Sequence, residues 1–291
     1  MKGQLFVLLR RLNVLFHKSG LRVPKIFFPL YWFVFEKVKE TKPMLVRVGG
    51  VKLLGYPWDT LFSDMIVRGM EEFETDLFRK YLKHGMTVVD IGANIGLYTL
   101  ISAKKVGTTG KVYSFEPERI NYGLLLENIK LNKLRNVFPY QMAVADKTEK
   151  RFLAISKFNL GGHSLSQGNV QYIKGRQKTS VVSLDYFFNK VEKIQMLNVI
   201  KMDTQGAEGL IMEGAKRVLR RFHPKIFMEF WPGGLRNMGT DPVLLLKTLK
   251  SFGYKIKHID EQNKTLNDVT IKEVISLSSR QNWTYLNLFL E

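Results

Sequence analysis

Two hydrophobic periods alternate along most of the chain. Short apolar runs at Thr87–Ile91, 137–144, 197–202, Lys111–Phe115 and Lys225–Phe230 read as buried strands. Between and after them, residues 95–105, 118–131, 207–220 and 241–252 carry apolar positions at helical spacing. This repeated β-α-β pattern with short links predicts a parallel sheet with helices on both faces. A further helix is expected over 71–83, with Phe73, Leu77, Phe78, Tyr81 and Leu82 on one face and His84-Gly85 closing it. Segments 254–258 and 284–290 read as the last strands. The alternation pauses once. Strands expected at 151–155 and 179–184 are joined by a polar stretch holding Gly161-Gly162-His163-Ser164, and a long connection of this kind usually carries function.

Upstream the pattern differs. From Met44 to Met70 it suggests short strands, and Gly49-Gly50 between Leu45-Val46-Arg47-Val48 and Val51-Lys52-Leu53-Leu54 is a hairpin signal. In residues 1–40, Leu5, Phe6, Leu8, Leu9, Leu12, Leu15 and Phe16 fall at helical spacings among Arg10, Arg11 and Lys18. The apolar run 26–35 is about half the length that spans a bilayer, and no small-residue cleavage site follows it, so no signal peptide is expected. Two readings stay open: a helical hairpin packed on the domain, or a basic amphipathic segment lying on an anionic membrane surface. The expected division is an extension over 1–70 and a catalytic domain over 71–291.

Charge sharpens the second reading. The chain carries 45 Lys+Arg against 26 Asp+Glu, a net +19, and no acidic residue precedes Glu36. Such a balance suits an anionic partner: membrane surface, nucleic acid or phosphorylated substrate. The absence of cysteine excludes disulfides, thiolate metal sites and cysteine nucleophiles.

The chemistry concentrates at Asp90-Ile91-Gly92-Ala93-Asn94-Ile95-Gly96, where a strand turns into a helix. Glycine lets a ligand approach the backbone, and the helix N-terminus offers unpaired N–H groups. Glu116, twenty residues after Gly96, can accept hydrogen bonds from both hydroxyls of a ribose. A dinucleotide fingerprint would need glycine at 94 and 97, which hold Asn94 and Leu97, and a carboxylate at Asp90 would oppose a pyrophosphate. An aminoacyl nucleoside, S-adenosylmethionine, is favoured over NAD.

These residues, with Phe115-Glu116-Pro117, Ala143-Val144-Ala145-Asp146 and Ile200-Lys201-Met202-Asp203-Thr204-Gln205-Gly206-Ala207-Glu208, resemble the FkbM family of class I methyltransferases over about residues 75–258. The last block is the most specific, although Gln205 stands where the family usually has glutamate. The resemblance implies a Rossmann-like, doubly wound α/β fold with a seven-stranded sheet whose last strand is antiparallel, here with the N-terminal helical and β-hairpin extension. It implies O-methylation of a hydroxyl on a small molecule, glycan or lipid. Carried over by position, Asp90, Gly92, Ala93, Asn94 and Gly96 would line the methionine end, and Glu116 with Pro117 the ribose. Gln141, Met142, Ala143 and Asp146 would lie by the adenine. Asp203 would stand beside the methyl donor.

Methylating an alcohol needs alignment and proton removal. Candidate bases are Asp203, Glu229 at the end of the fifth strand, and His163 on the glycine-rich loop, whose ordinary pKa suits the task. A divalent ion shared by Asp203, Glu229 and His163 is conceivable, but no close-spaced ligand pair supports it and no metal is assigned. Glu208, in the first helical turn, reads as a dipole partner. Trp231-Pro232-Gly233-Gly234 reads as an acceptor-side turn. An RNA methyltransferase and a non-catalytic membrane-surface scaffold are the alternatives. No RNA-binding signature is present, so nucleic acid is not the expected partner. The expected location is cytoplasmic, peripheral at the membrane.

Overall fold

The computed structural model describes residues 42–68, 72–279 and 285–291. Both readings of residues 1–40 lie outside the described residues. The α/β core is one mixed sheet. Strands β3 (Thr87–Ile91), β4 (Lys111–Phe115), β5 (Val137–Tyr140), β9 (Val199–Met202) and β10 (Lys225–Phe230) are mutually parallel. Strand β13 (Leu286–Leu290) pairs antiparallel with both β10 and β11 (Ile256–Asp260). With β12 (Thr265–Asp268) at one edge, the order is β12-β11-β13-β10-β9-β3-β4-β5. It has eight strands rather than seven, because the chain hairpins back after β11 to add β12.

The pleat explains the near-continuous apolar runs. Val88, Val112, Val199 and Phe227 enter one core, while Val89, Tyr113, Ile200 and Met228 enter the other. The first core also takes Val51, Leu53, Phe62 and Met65 from the segment before residue 70. Strands β1 (Met44–Val48) and β2 (Val51–Gly55) form the hairpin that Gly49-Gly50 signals. The other edge of β2 would leave unpaired backbone groups. Asn128 on the helix Arg119–Leu131 and Asn132, its C-cap one turn on, act in place of a strand. Asn128 bonds the Leu54 N–H and carbonyl at 2.6 and 3.0 Å, and Asn132 does the same at Lys52 at 2.9 and 2.6 Å. Asn128 also donates to the Ile95 carbonyl at 2.8 Å, tying hairpin to turn.

Three expected elements change. The strand over 137–144 breaks at Gln141-Met142 into β5 and β6 (Ala143–Val144), which join different sheets. The second sheet holds β6, β7 (Glu149–Ser156) and β8 (Ile173–Val182). The helix over 207–220 is two helices, Glu208–Glu213 and Lys216–Phe222. Between them Gly214 approaches the backbone of Ala145–Asp146 so closely that an added Cβ would lie 2.2 Å from the Ala145 oxygen. The segment expected as strands through Met70 contains a helix, Thr60–Arg68, capped by buried Asp59, whose Oδ2 accepts from Phe62 N at 3.0 Å.

Candidate active site

The turn after β3 is shaped by its backbone. Gly92 has φ +79°, and an added Cβ would sit 1.9 Å from the Asp203 carbonyl, so only glycine lets the ends of β3 and β9 meet there. Asn94 also adopts the left-handed region, at φ 51°, which asparagine tolerates. Its N–H donates to Glu116 Oε2 at 2.7 Å, and its side-chain amide donates to the Leu160 carbonyl at 3.2 Å. The second oxygen of Glu116 accepts from Glu118 N at 2.8 Å. Burial raises the Glu116 carboxyl to about 8, against the pull of those two N–H groups.

Above this turn lies a cleft enclosing about 530 Å³, its mouth included. Gly92, Asn94, Glu116 and Pro117 line it from one side, Ala143, Val144 and Leu153 from another, and Asp203, Thr204 and Gln205 from the end of β9. The glycine-rich segment crosses over it. Asn121 Nδ2 donates to the Leu160 carbonyl at 2.7 Å, Asp59 Oδ1 accepts from Leu160 N at 2.8 Å, and Ser164 Oγ donates to the Gln205 carbonyl at 2.9 Å. Leu160, Gly161, His163, Ser164 and Leu165 thus form its roof.

Six of the expected cofactor residues stand outside the lining, among them Gln141, which is exposed between β5 and β6. Asp90 turns toward the overlying helix, where Oδ2 accepts from Thr99 Oγ1 at 2.5 Å. Strand alternation puts it on the face away from the cleft, and burial raises its carboxyl to about 6. It lies in register with Lys201, which is buried and ion-paired to Glu74 at 3.0 Å. Ala93 is buried, with its N–H on the Phe115 carbonyl. Gly96, at φ 100°, begins the helix Leu97–Val106 under Leu125. Met142 packs on the core, and Asp146 pairs with Arg151 at 2.6 Å.

The candidate bases separate. Gln205, at φ 55°, donates from Nε2 to Asp203 Oδ1 at 2.9 Å and to Glu229 Oε2 at 3.0 Å. One amide therefore bridges both carboxylates, where a shared ion was conceivable. Among the described residues no group of three or more His, Asp or Glu is placed to hold a metal. Asp203 is exposed and faces the cleft, whereas Glu229 is buried behind Gln205. His163 changes role. Its Nδ1 accepts from Ser156 N at 2.9 Å, so the neutral ring carries its proton on Nε2 and presents a donor, not a base. Burial, with Lys174 nearby, lowers its pKa to about 4 and keeps it neutral. Glu208 reaches back to Thr204, accepting from N at 2.9 Å and Oγ1 at 2.8 Å, a more specific role than a dipole partner. Trp231 packs its ring over Gly234 and caps the short helix Pro232–Asn237, outside the cleft lining.

Residues 90–256 match the methyltransferase FkbM domain, more than half of the chain. The chain belongs to the FkbM methyltransferase family. It is an enzyme dependent on S-adenosylmethionine, and the FkbM cleft fits that cofactor: a buried carboxylate for a diol, a glycine-bounded turn, apolar walls and the unpaired His163 Nε2. No curated protein matches the chain. Its fold is similar to the methyltransferase FkbM of Methylobacillus flagellatus KT, at 14% identity and TM-score 0.44, covering 91% of this chain and 59% of that one. It is similar to a Streptococcus mutans protein described as a methyltransferase and crystallised with SAH, at 13% identity and TM-score 0.43, covering 76% and 96%. A Clostridium thermocellum protein described as an rRNA methylase matches at 13% identity and TM-score 0.44, covering 74% and 91%.

Asn121, Leu160 and Leu165 were not legible as cleft residues. Asp59 had a signal, a capping position ahead of Phe62 and Met65.

Proposed function

We propose that the protein O-methylates a hydroxyl of a glycan, a lipid or a lipid-linked metabolite. The Asp203–Gln205–Glu229 group carries this reading. An alcohol must lose its proton as its oxygen attacks. Gln205 fixes one oxygen of Asp203, and Oδ2 has no partner among the described residues. Asp203 Oδ2 receives the hydroxyl proton, and Glu229 acts through Gln205 as a positioning residue. Glu116 holds the ribose, and Gly92 with Asn94 bounds the methionine end. When bound, S-adenosylmethionine supplies an electrophilic methyl carbon.

A groove beside the cleft supports the acceptor class. Arg151, Phe152, Ala154, Leu165, Ser166 and Arg176 are among its lining, and Leu165 lines the cleft as well. Phe152 is 58% exposed, a surface on which a sugar ring can stack. Residues 147–180 carry seven Lys or Arg and one acidic residue, Glu149, which suits an anionic group on the acceptor. The basic segment 1–40 supports a cytoplasmic enzyme resting on an anionic membrane surface. Among the described residues no helix is long and apolar enough to cross a membrane.

The test is transfer of radiolabelled methyl from S-adenosylmethionine to lipid, glycan and RNA fractions of the source cell. Label is expected in lipid or glycan as an alkali-stable methyl ether, and is expected to be lost with Asp203→Asn. Label confined to RNA, or released by mild alkali as an ester, contradicts the reading.

A further inference from the structure

The His163 side chain is 9% exposed and sits in the cleft roof. Ser156 N–H occupies its Nδ1, which leaves the Nε2–H as the group with work to do. Nε2 is buried and has no hydrogen-bond partner among the described residues. A buried donor left unpaired is destabilising, a penalty that a ligand acceptor atom in the cleft would remove.

The surroundings identify the acceptor. Pro117, Ala143, Val144, Leu153 and Leu165, which line the same cleft, give it apolar walls, suited to a flat ring with few polar atoms. Glu116, immediately before Pro117, anchors the sugar and so directs the base attached to it. An adenine offers ring nitrogens N1, N3 and N7, all acceptors without hydrogen. The charged groups nearby are Lys174 and, beyond it, Glu118. Lys174 reinforces a site that favours an acceptor over a donor. We propose that His163 donates from Nε2 to a ring nitrogen of the cofactor's adenine, making it a specificity residue of the cofactor subsite. This rests on the reading that the cleft holds S-adenosylmethionine.

Calorimetry with S-adenosylhomocysteine and its 1-deaza, 3-deaza and 7-deaza analogues tests it without an acceptor. In the wild type one analogue should bind about tenfold more weakly than the parent, the worth of one hydrogen bond of about 1.4 kcal/mol. His163→Phe should bind the parent about tenfold more weakly and no longer discriminate against that analogue. His163→Gln, whose amide can donate, should keep part of the discrimination. The inference is overturned if all three analogues bind wild type within twofold of the parent. Discrimination undiminished in His163→Phe, or in His163→Gln should the first variant fail to fold, overturns the assignment to His163 while leaving the cofactor reading intact. Absence of S-adenosylhomocysteine binding by the wild type would overturn the cofactor reading itself.

Discussion

Glu116 links cofactor affinity to pH. Its carboxyl is buried, raised to about 8, and already accepts two backbone N–H groups. A ribose diol adds two O–H donors, which favour the ionised form. Binding therefore lowers the Glu116 pKa, and a ligand that binds the deprotonated form gains affinity as pH rises toward the free-enzyme value. Below that value each pH unit costs up to about 1.4 kcal/mol, or tenfold in Kd. Between pH 8 and pH 6 the loss would be about 50-fold if the protonated form bound nothing. One remaining bond to a protonated carboxyl reduces this to roughly tenfold. Adenosine is the better ligand for the titration, because it has no α-amino group to titrate in the same window. Asp90, at about 6, and Glu208, at about 7, also ionise nearby, so Glu116→Gln is the control and should flatten the profile. An adenosine affinity that stays constant from pH 6 to 8 in the wild type, or a slope that survives in Glu116→Gln, would refute the reasoning.

Three other perturbations follow from the same structure. The raised carboxyls hold protons in the folded state that the unfolded chain has released, so their stabilising effect is present at low pH and lost as pH rises. From pH 6.5 to 8, where His163 is neutral in the folded state and mostly neutral in the unfolded one, ligand-free stability in urea should fall by about 1–3 kcal/mol, mainly through Glu116; a rise would contradict it. Asn128→Ala removes three side-chain bonds to Leu54 and Ile95 and should cost about 2–4 kcal/mol in chemical unfolding. A loss under 0.5 kcal/mol by the same assay, about the size of an exposed surface change, would mean the amide is not an edge substitute. Lys201→Met strands buried Glu74 and should cost about 3–5 kcal/mol. The double variant with Glu74→Gln should recover most of that loss, and strict additivity in the cycle would deny the coupling.

What the sequence disclosed divides by range. Strands β3, β4 and β10 match their expected bounds because each is an apolar run buried on both faces. The Gly92–Gly96 turn and Glu116 were legible because their signal is local. The capping box Thr270–Glu273, which starts the helix Ile271–Ser278, is an equally local signal. The roof of the cleft was not legible, because Leu160 is held by Asp59, Asn94 and Asn121, residues 101, 66 and 39 positions away. His163 shows the deeper difficulty. Its residue type suggested a base, but one backbone N–H at Nδ1 decides its tautomer, and only the fold brings Ser156 there. Asp90 was recognised as part of the turn, yet its direction follows from strand alternation against Thr99.

In the proposed complex the cleft between the Gly92–Gly96 turn and Asp203 receives S-adenosylmethionine with Glu116 on its ribose. Parallel calorimetric titration of wild type and Glu116→Ala with S-adenosylmethionine and NAD tests this most directly. One S-adenosylmethionine is expected to bind per chain in the wild type, at least tenfold more weakly in the variant, with no NAD binding by either. Saturable NAD binding without S-adenosylmethionine binding, or equal S-adenosylmethionine affinity in the two proteins, would contradict it.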